Sequence, residues 1–129
     1  MELNMEQQKL IMELQSLEQK MKQDEAQIEA VHRQLAEMQE IINSIEVLKK
    51  GETETLLPIG KGIFVKNKTS IKTLFINIGS GIILEKTIEE AIKLLNDQMK
   101  KLENMLENYS ENLSVSGNKI QELISNLYK

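Results

Sequence analysis

The chain has 129 residues, with 20 acidic against 16 basic side chains, one His, no Cys and a single Pro. That length holds one domain. The absence of Cys excludes disulfides, Cys-ligated zinc and thiol catalysis, and 3% aromatic residues leave little stacking surface for single-stranded nucleic acid. The net charge of -4 also argues against DNA as a partner.

Residues 1–50 are predicted to form one long helix. Apolar residues recur there at alternating spacings of four and three, which is a heptad seam with Leu10 at a d position and Leu14 at an a position. The polar exceptions in the seam are Gln7 and Asp24. Gly51 follows as a residue suited to ending the helix.

Residues 51–86 change to a period of two and to β-branched residues. Four short strands are predicted, joined as two β-hairpins by glycine-containing turns at residues 60–62 and 79–81. Pro58 cannot donate a hydrogen bond to a ladder, so the first strand is expected to be an edge strand or to end there.

Residues 87–129 return to the heptad pattern and predict a second long helix. Thr87 and Glu90 have the spacing of a capping box, in which each side chain accepts a hydrogen bond from the backbone N–H of the other residue. Ser116 interrupts an otherwise apolar seam.

Two seams of similar length joined by about 36 residues predict an antiparallel two-helix coiled coil with the hairpins at one end. The expected fold class is therefore α+β, as a single domain over residues 1–129. With Ile45 opposite Ile88, Asp24 would face Tyr109, and a hydrogen bond between them is a hypothesis for what sets the helix register.

The hairpins carry apolar residues on both faces, and about thirty residues are too few to enclose a core. Their unpaired strand edges also require partners. We therefore expect hairpins of several chains to share a sheet or an intersubunit β-barrel, which makes the protein an obligate oligomer. The predicted oligomerisation residues are Ile63, Phe64, Val65, Leu74, Phe75, Ile76, Ile78, Ile82, Ile83 and Leu84.

The central stretch LPIGKGIFV at residues 57–65, continued by IGSG at 78–81 and EKTIEEA at 85–91, resembles subunits of the prefoldin family. The resemblance extends over almost the whole chain, and two hairpins favour the alpha type over the beta type. It implies a hexamer of two alpha and four beta-type subunits with a double β-barrel body and six protruding coiled coils. It further implies capture of unfolded proteins without ATP or another cofactor, and their delivery to a group II chaperonin.

In an antiparallel coil both termini lie at the far tip, where several apolar residues fall outside the seam. Met5 and Met12 occupy f positions, and thioether side chains adapt to varied apolar surfaces. Residues 114–118 are poor helix formers, so the tip is expected to loosen and expose its seam. The alternative is ordinary surface scatter or frayed termini. The candidate client-binding residues are Met5, Leu10, Ile11, Met12, Leu14, Leu113, Ile120, Leu123, Ile124, Leu127 and Tyr128.

The main rival function is a scaffolding coiled coil that docks one specific partner, and breadth of clients would separate the two. An enzyme is a distant third, because no nucleophile, base and orienting group can be assembled. His32 has no second His or Cys beside it, so no metal is expected.

Without a recognisable signal sequence or apolar run, the protein is expected in the cytoplasm, bound to neither membrane nor nucleic acid.

Overall fold

A computed structural model of the chain describes residues 4–51 and 53–128. For Thr53 and Thr69 it describes the backbone alone. The predicted order of two long helices around two hairpins is confirmed. The elements are α1 (Met5–Leu48), β1 (Thr53–Gly60), β2 (Ile63–Thr69), β3 (Thr73–Gly79), β4 (Ile82–Thr87) and α2 (Ile88–Leu127).

The described residues form two compact units. Residues 4–35 and 101–128 make up the first, called here the helical unit, and residues 36–51 with 53–100 the second, called the sheet unit. The prediction of a single domain stays a prediction.

Helices α1 and α2 run antiparallel within each unit. In the helical unit, the terminal methyl group of Met21 lies 3.9 Å from the position that a Cβ on Gly117 would take. In the sheet unit, Ile45 of α1 is buried with Ile88 and Ala91 of α2. Also in the helical unit, Leu10 of α1 lines a concavity with Leu127 of α2. Higher residue numbers on α1 thus meet lower ones on α2 within that unit, as the heptad seams require.

The core of the sheet unit joins the helices to one hairpin. Around the buried trio of Ile45, Ile88 and Ala91, the half-buried Leu74 and Ile76 of β3 pack with helix side chains. No described side chain of β1 or β2 belongs to this core. The β1–β2 hairpin is therefore held mainly by its own ladder, and an isolated two-stranded hairpin is marginally stable in water.

Both hairpins are antiparallel and turn in two residues. Positive φ angles at Lys61 and Gly62, and at Ser80 and Gly81, give turns whose twist matches that of the flanking strands. The turn prediction for residues 79–81 is confirmed. Pro58 pairs with Phe64 in a two-stranded sheet, so β1 is an edge strand that continues past the proline.

The two hairpins repeat one local design that we did not predict. Each carries the sequence Ile-Gly-X-Gly-Ile, at residues 59–63 and 78–82. In each, the strand register shifts just before the turn, so that Ile59 and Ile78 are extra bulge residues. The same turn and the same bulge thus occur twice in the sheet unit.

The predicted capping box at the start of α2 is confirmed. The backbone N–H of Thr87 donates to Glu90 Oε1 at 3.1 Å, and the backbone N–H of Glu90 donates to Thr87 Oγ1 at 3.1 Å. The hydrogen bond from the Thr87 backbone, then that from its hydroxyl, lowers the pKa of Glu90 below its usual value of 4.5, and the charge of Lys86 adds to this. The stabilisation from the charged carboxylate is therefore present above pH 4.5 and is lost as pH falls through the lower folded-state pKa.

The first prediction follows from this cap. We expect Glu90→Gln to remove the part of the acid sensitivity that comes from Glu90, because an amide oxygen accepts the same hydrogen bond without titrating. The urea concentration at the midpoint of unfolding should then fall more for the wild-type protein than for Glu90→Gln as pH drops below 4.5. Glu89→Gln, in the same exposed turn but outside the capping box, is the control. Parallel profiles for the wild type and Glu90→Gln would contradict the assignment.

Candidate functional site

The start of α1 is fixed by a second capping box, which our sequence reasoning missed. The backbone N–H of Gln7 donates to Asn4 Oδ1 at 2.7 Å, and the backbone N–H of Asn4 donates to Gln7 Oε1 at 3.2 Å. The pattern Asn-X-X-Gln before an apolar seam is the signal that reveals it. The cap holds the first turn of α1 in a regular helix, which orients Met5 and the residues that follow.

The first two turns of α1 display an apolar surface. Met5 is 86% exposed and Met12 is 70% exposed, and seven residues in a helix bring both to the same face. They line one shallow concavity of about 490 Å³ together with Glu6, Gln8 and Lys9. Exposed thioethers bordered by polar side chains are suited to binding irregular apolar segments.

The end of α2 lies beside the start of α1 in the same unit. A second concavity of about 320 Å³ is lined by residues of both, including Leu10 and Leu127. Ile124 and Tyr128 are exposed, as expected for positions outside the seam. The remaining predicted tip residues are covered to a larger degree. Leu123 is buried, and Leu10, Ile11, Leu14, Leu113, Ile120 and Leu127 are half-buried.

Helix α2 runs through residues 114–118 without a break. The loosening expected there stays a prediction. Ser116 is only 2% exposed and packs as a small seam residue. The seam residues of the tip thus remain covered unless the helices separate. Val115, absent from the predicted set, is exposed on the outside of α2.

The hydrogen bond predicted between Asp24 and Tyr109 is not formed. Asp24 is 8% exposed, and its Oδ2 has no hydrogen-bond partner among the described residues. Helical side chains lean toward the N-terminus of their own helix. In an antiparallel pair, residues opposite one another therefore lean apart, and the short side chain of Asp24 cannot bridge the gap.

The second candidate surface is formed by the hairpins of the sheet unit. On β3, Leu74 and Ile76 point into the chain's own core, whereas Phe75 on the opposite face is 72% exposed. The other predicted oligomerisation residues are exposed, and Leu56, Leu57 and Ile59 of β1, which we did not predict, are exposed as well. The exposed predicted residues are Ile63, Phe64, Val65, Phe75, Ile78, Ile82, Ile83 and Leu84.

The hairpins also leave strand edges open. Each of the four strands has one hydrogen-bonded neighbour among the described residues, so each has one edge without a partner strand. Lys66 and Glu54 form an exposed ion pair of 2.9 Å on β1–β2, which contributes little stability at a solvated site. Open edges beside exposed apolar faces are features of a surface completed by other chains.

His32 is exposed on α1, and the portion of the chain that the structure describes contains no cluster of His, Cys, Asp or Glu that could hold a metal ion. Within the same described residues, no helix has both the length and the apolar character needed to cross a bilayer.

Comparison with known proteins decides the family. The model of the prefoldin family, described as "Prefoldin subunit", matches residues 13–129. The chain belongs to the prefoldin family. Prefoldin subunit alpha of Methanospirillum hungatei is 36% identical over 130 residues, which cover 91% of this chain and 87% of that protein. Prefoldin subunit alpha of Pyrococcus horikoshii is 38% identical over 106 residues, covering 75% and 68% respectively.

The fold agrees with this assignment. A cryo-EM structure of filamentous PFD (prefoldin) from Methanocaldococcus jannaschii has a TM-score of 0.75 over 88% of this chain and 97% of that chain, at 23% identity. The predicted alpha-type prefoldin is confirmed, and with it the function of a prefoldin chaperone subunit. Prefoldin is a family of chaperones rather than enzymes, and its subunits form oligomeric complexes.

The second prediction concerns Asp24. Asp24→Leu should stabilise the helical unit by about 1 to 3 kcal/mol, because it removes a buried carboxylate oxygen that has no partner and continues the apolar seam. Hydrogen exchange of the α1 backbone amides measures the change. Glu25→Leu, at the neighbouring exposed position, is the matched control and should have little effect. Faster exchange in Asp24→Leu than in the wild type would show that the carboxylate stabilises the pair.

Proposed function

We propose that the chain is the alpha-type subunit of a heteromeric prefoldin and that it captures unfolded proteins at the tip of its helical unit. The observation that carries the proposal is the exposure of Met5 and Met12 on one face of α1. The same unit contains the exposed Ile124 of α2 and the exposed Tyr128, which follows α2. These four residues are called here the tip patch. None of them is needed to fill the seam between the helices, so all four are available to a client.

Capture at the tip patch needs no nucleotide. An unfolded chain presents apolar side chains, and burying them against Met5 and Met12 is favourable by roughly 25 cal/mol for each Å² removed from water. One tip of this size binds weakly. Several tips in one complex hold the same client at a high effective concentration, which turns weak contacts into stable capture.

Assembly is assigned to the hairpins. The proposed complex contains two alpha and four beta-type subunits, and its body is a double β-barrel formed when hairpins of neighbouring chains add to each other's open edges. Exposed apolar residues on both faces of β1–β2, and Phe75 on the outer face of β3–β4, support this role. The solved structure from Methanocaldococcus jannaschii is of a filamentous prefoldin, so a filament is the competing arrangement.

The proposed route ends at a chaperonin of group II, which receives the client from the complex. The cytoplasm is the proposed location, with neither a membrane nor a nucleic acid among the partners. The net charge of -4 supports the latter, because it disfavours contact with a polyanion.

The third prediction tests the tip patch. In the assembled complex, Met5→Gln, Met12→Gln and Ile124→Gln should each weaken suppression of aggregation of unrelated denatured proteins. Each removes on the order of 1 kcal/mol of apolar contact for each tip, or about fivefold in affinity. Val115→Gln is the matched control, because Val115 is also an exposed apolar residue of the helical unit but lies outside the tip patch.

Light scattering with several unrelated clients measures this effect, and native mass spectrometry checks that the complex stays assembled. Equal losses in Val115→Gln and the tip variants would refute the tip patch as the binding surface. Suppression confined to one client would favour a scaffold that docks a specific partner.

The fourth prediction tests the hairpin surface. Phe75→Asp should abolish assembly with a co-expressed beta-type subunit, because it places a charge without a partner in an interface that excludes water. Phe75 lies outside the chain's own core, so helical circular dichroism should be retained. Ser80→Asp adds the same charge to the same hairpin at a turn position with positive φ, which Asp tolerates, and should assemble normally. An intact complex with Phe75→Asp would rule out this face.

A further inference from the structure

The methionines that the structure describes differ sharply in their exposure to solvent. The sequence contains seven Met residues and no Cys, so all of its sulfur atoms are thioethers. Met21, Met38 and Met99 are half-buried at seam positions of the two helices. Met105 is 42% exposed, whereas Met5 and Met12 are 86% and 70% exposed.

The two most exposed of these thioethers act as one surface. Met5 and Met12 lie two helical turns apart on the same face of α1 and border the same concavity of about 490 Å³. Their neighbours there are the polar side chains of Glu6, Gln8 and Lys9, which leave the sulfur atoms open to small solutes. An oxidant in solution therefore meets these two sulfur atoms before it meets the seam.

We propose that Met5 and Met12 form a redox-sensitive modification site that switches client capture off, an inference that rests on the proposed function of the tip patch. The oxidant is a hydroperoxide. With hydrogen peroxide, the thioether sulfur attacks one peroxide oxygen, so that an S–O bond forms as the O–O bond breaks. The other oxygen takes the proton of the transferred oxygen and leaves as water. The sulfur loses two electrons and the peroxide gains them.

The reverse step uses a dithiol reductant, as methionine sulfoxide reductases do. The sulfoxide oxygen leaves as water, the thioether is restored, and the two thiols become a disulfide. The modification is therefore a reversible change rather than permanent damage.

The effect of oxidation is confined to binding because of where the two residues lie. A sulfoxide is polar, and at a seam position such as Met21 it would disrupt the packing between the helices. Met5 and Met12 contribute almost nothing to that packing, since most of their surface is already in water. Their oxidation makes the tip patch polar and leaves the fold and the assembly intact.

The test treats the assembled complex with increasing hydrogen peroxide and maps oxidised peptides by mass spectrometry. Met5 and Met12 should gain one oxygen each before Met21, Met38 and Met99 do. At that point suppression of client aggregation should weaken as expected for a loss of about fivefold in affinity per oxidised residue, or about 25-fold for both, with native mass and circular dichroism unchanged. A methionine sulfoxide reductase with a dithiol should restore it. Oxidation of the seam methionines first, or full activity with Met5 and Met12 oxidised, would overturn the proposal.

A matched pair of variants isolates the two residues, and each protein is compared with its own untreated sample. The double variant Met5→Leu with Met12→Leu should lose less than about twofold on peroxide treatment, because Leu cannot be oxidised in this way. Met105→Leu, which removes a thioether elsewhere in the helical unit, should lose as much as the wild type. An equal loss in the double variant would refute the switch and leave the tip patch, which the Gln variants test without any oxidant, unaffected.

Discussion

The structure depends on one constraint, which is that neither helix can keep its apolar seam out of water by itself. Isolated helices gain little from propensity alone, so α1 and α2 are stable because their seams face each other. The antiparallel direction places the start of α1 and the end of α2 in the helical unit, and the strands lie in the sheet unit. The exposed methionines result from this pairing, because it covers the seam and leaves apolar residues outside the seam uncovered. The open hairpin edges have a separate cause, since each described sheet has two strands.

Local and periodic features were predictable from the sequence. Heptads, the Thr87 and Glu90 cap, and glycine-containing turns each depend on residues close in the chain, and each is confirmed in the structure. The repeat of Ile-Gly-X-Gly-Ile and the cap at Asn4 were equally visible in the sequence and were overlooked. Their signals are short patterns that are informative only once the positions of strands and helices are known.

Features that depend on side-chain direction were not predictable. Period two on β3 identifies two apolar faces but does not indicate that Leu74 and Ile76 join the core while Phe75 faces solvent. Heptad positions likewise put Asp24 opposite Tyr109 without showing that side chains of antiparallel helices lean apart. The first outcome is fixed by packing between elements distant in sequence, and the second by the side-chain direction within each helix.

Seam residues and exposed residues of the predicted tip set differ in the free energy needed to make them available to a client. Capture by buried seam residues such as Leu123 first requires the helices to separate. Separation exposes apolar side chains, each of which contributes about 1.5 to 3 kcal/mol of stability when fully buried. Capture by Met5 and Met12 requires no opening, so the whole contact energy goes into binding the client. A closed tip that uses its outer face is therefore favoured over an opened seam. Because that outer face is small, the proposed capture at the tip patch requires several tips, and hence the oligomer that the hairpins are proposed to build.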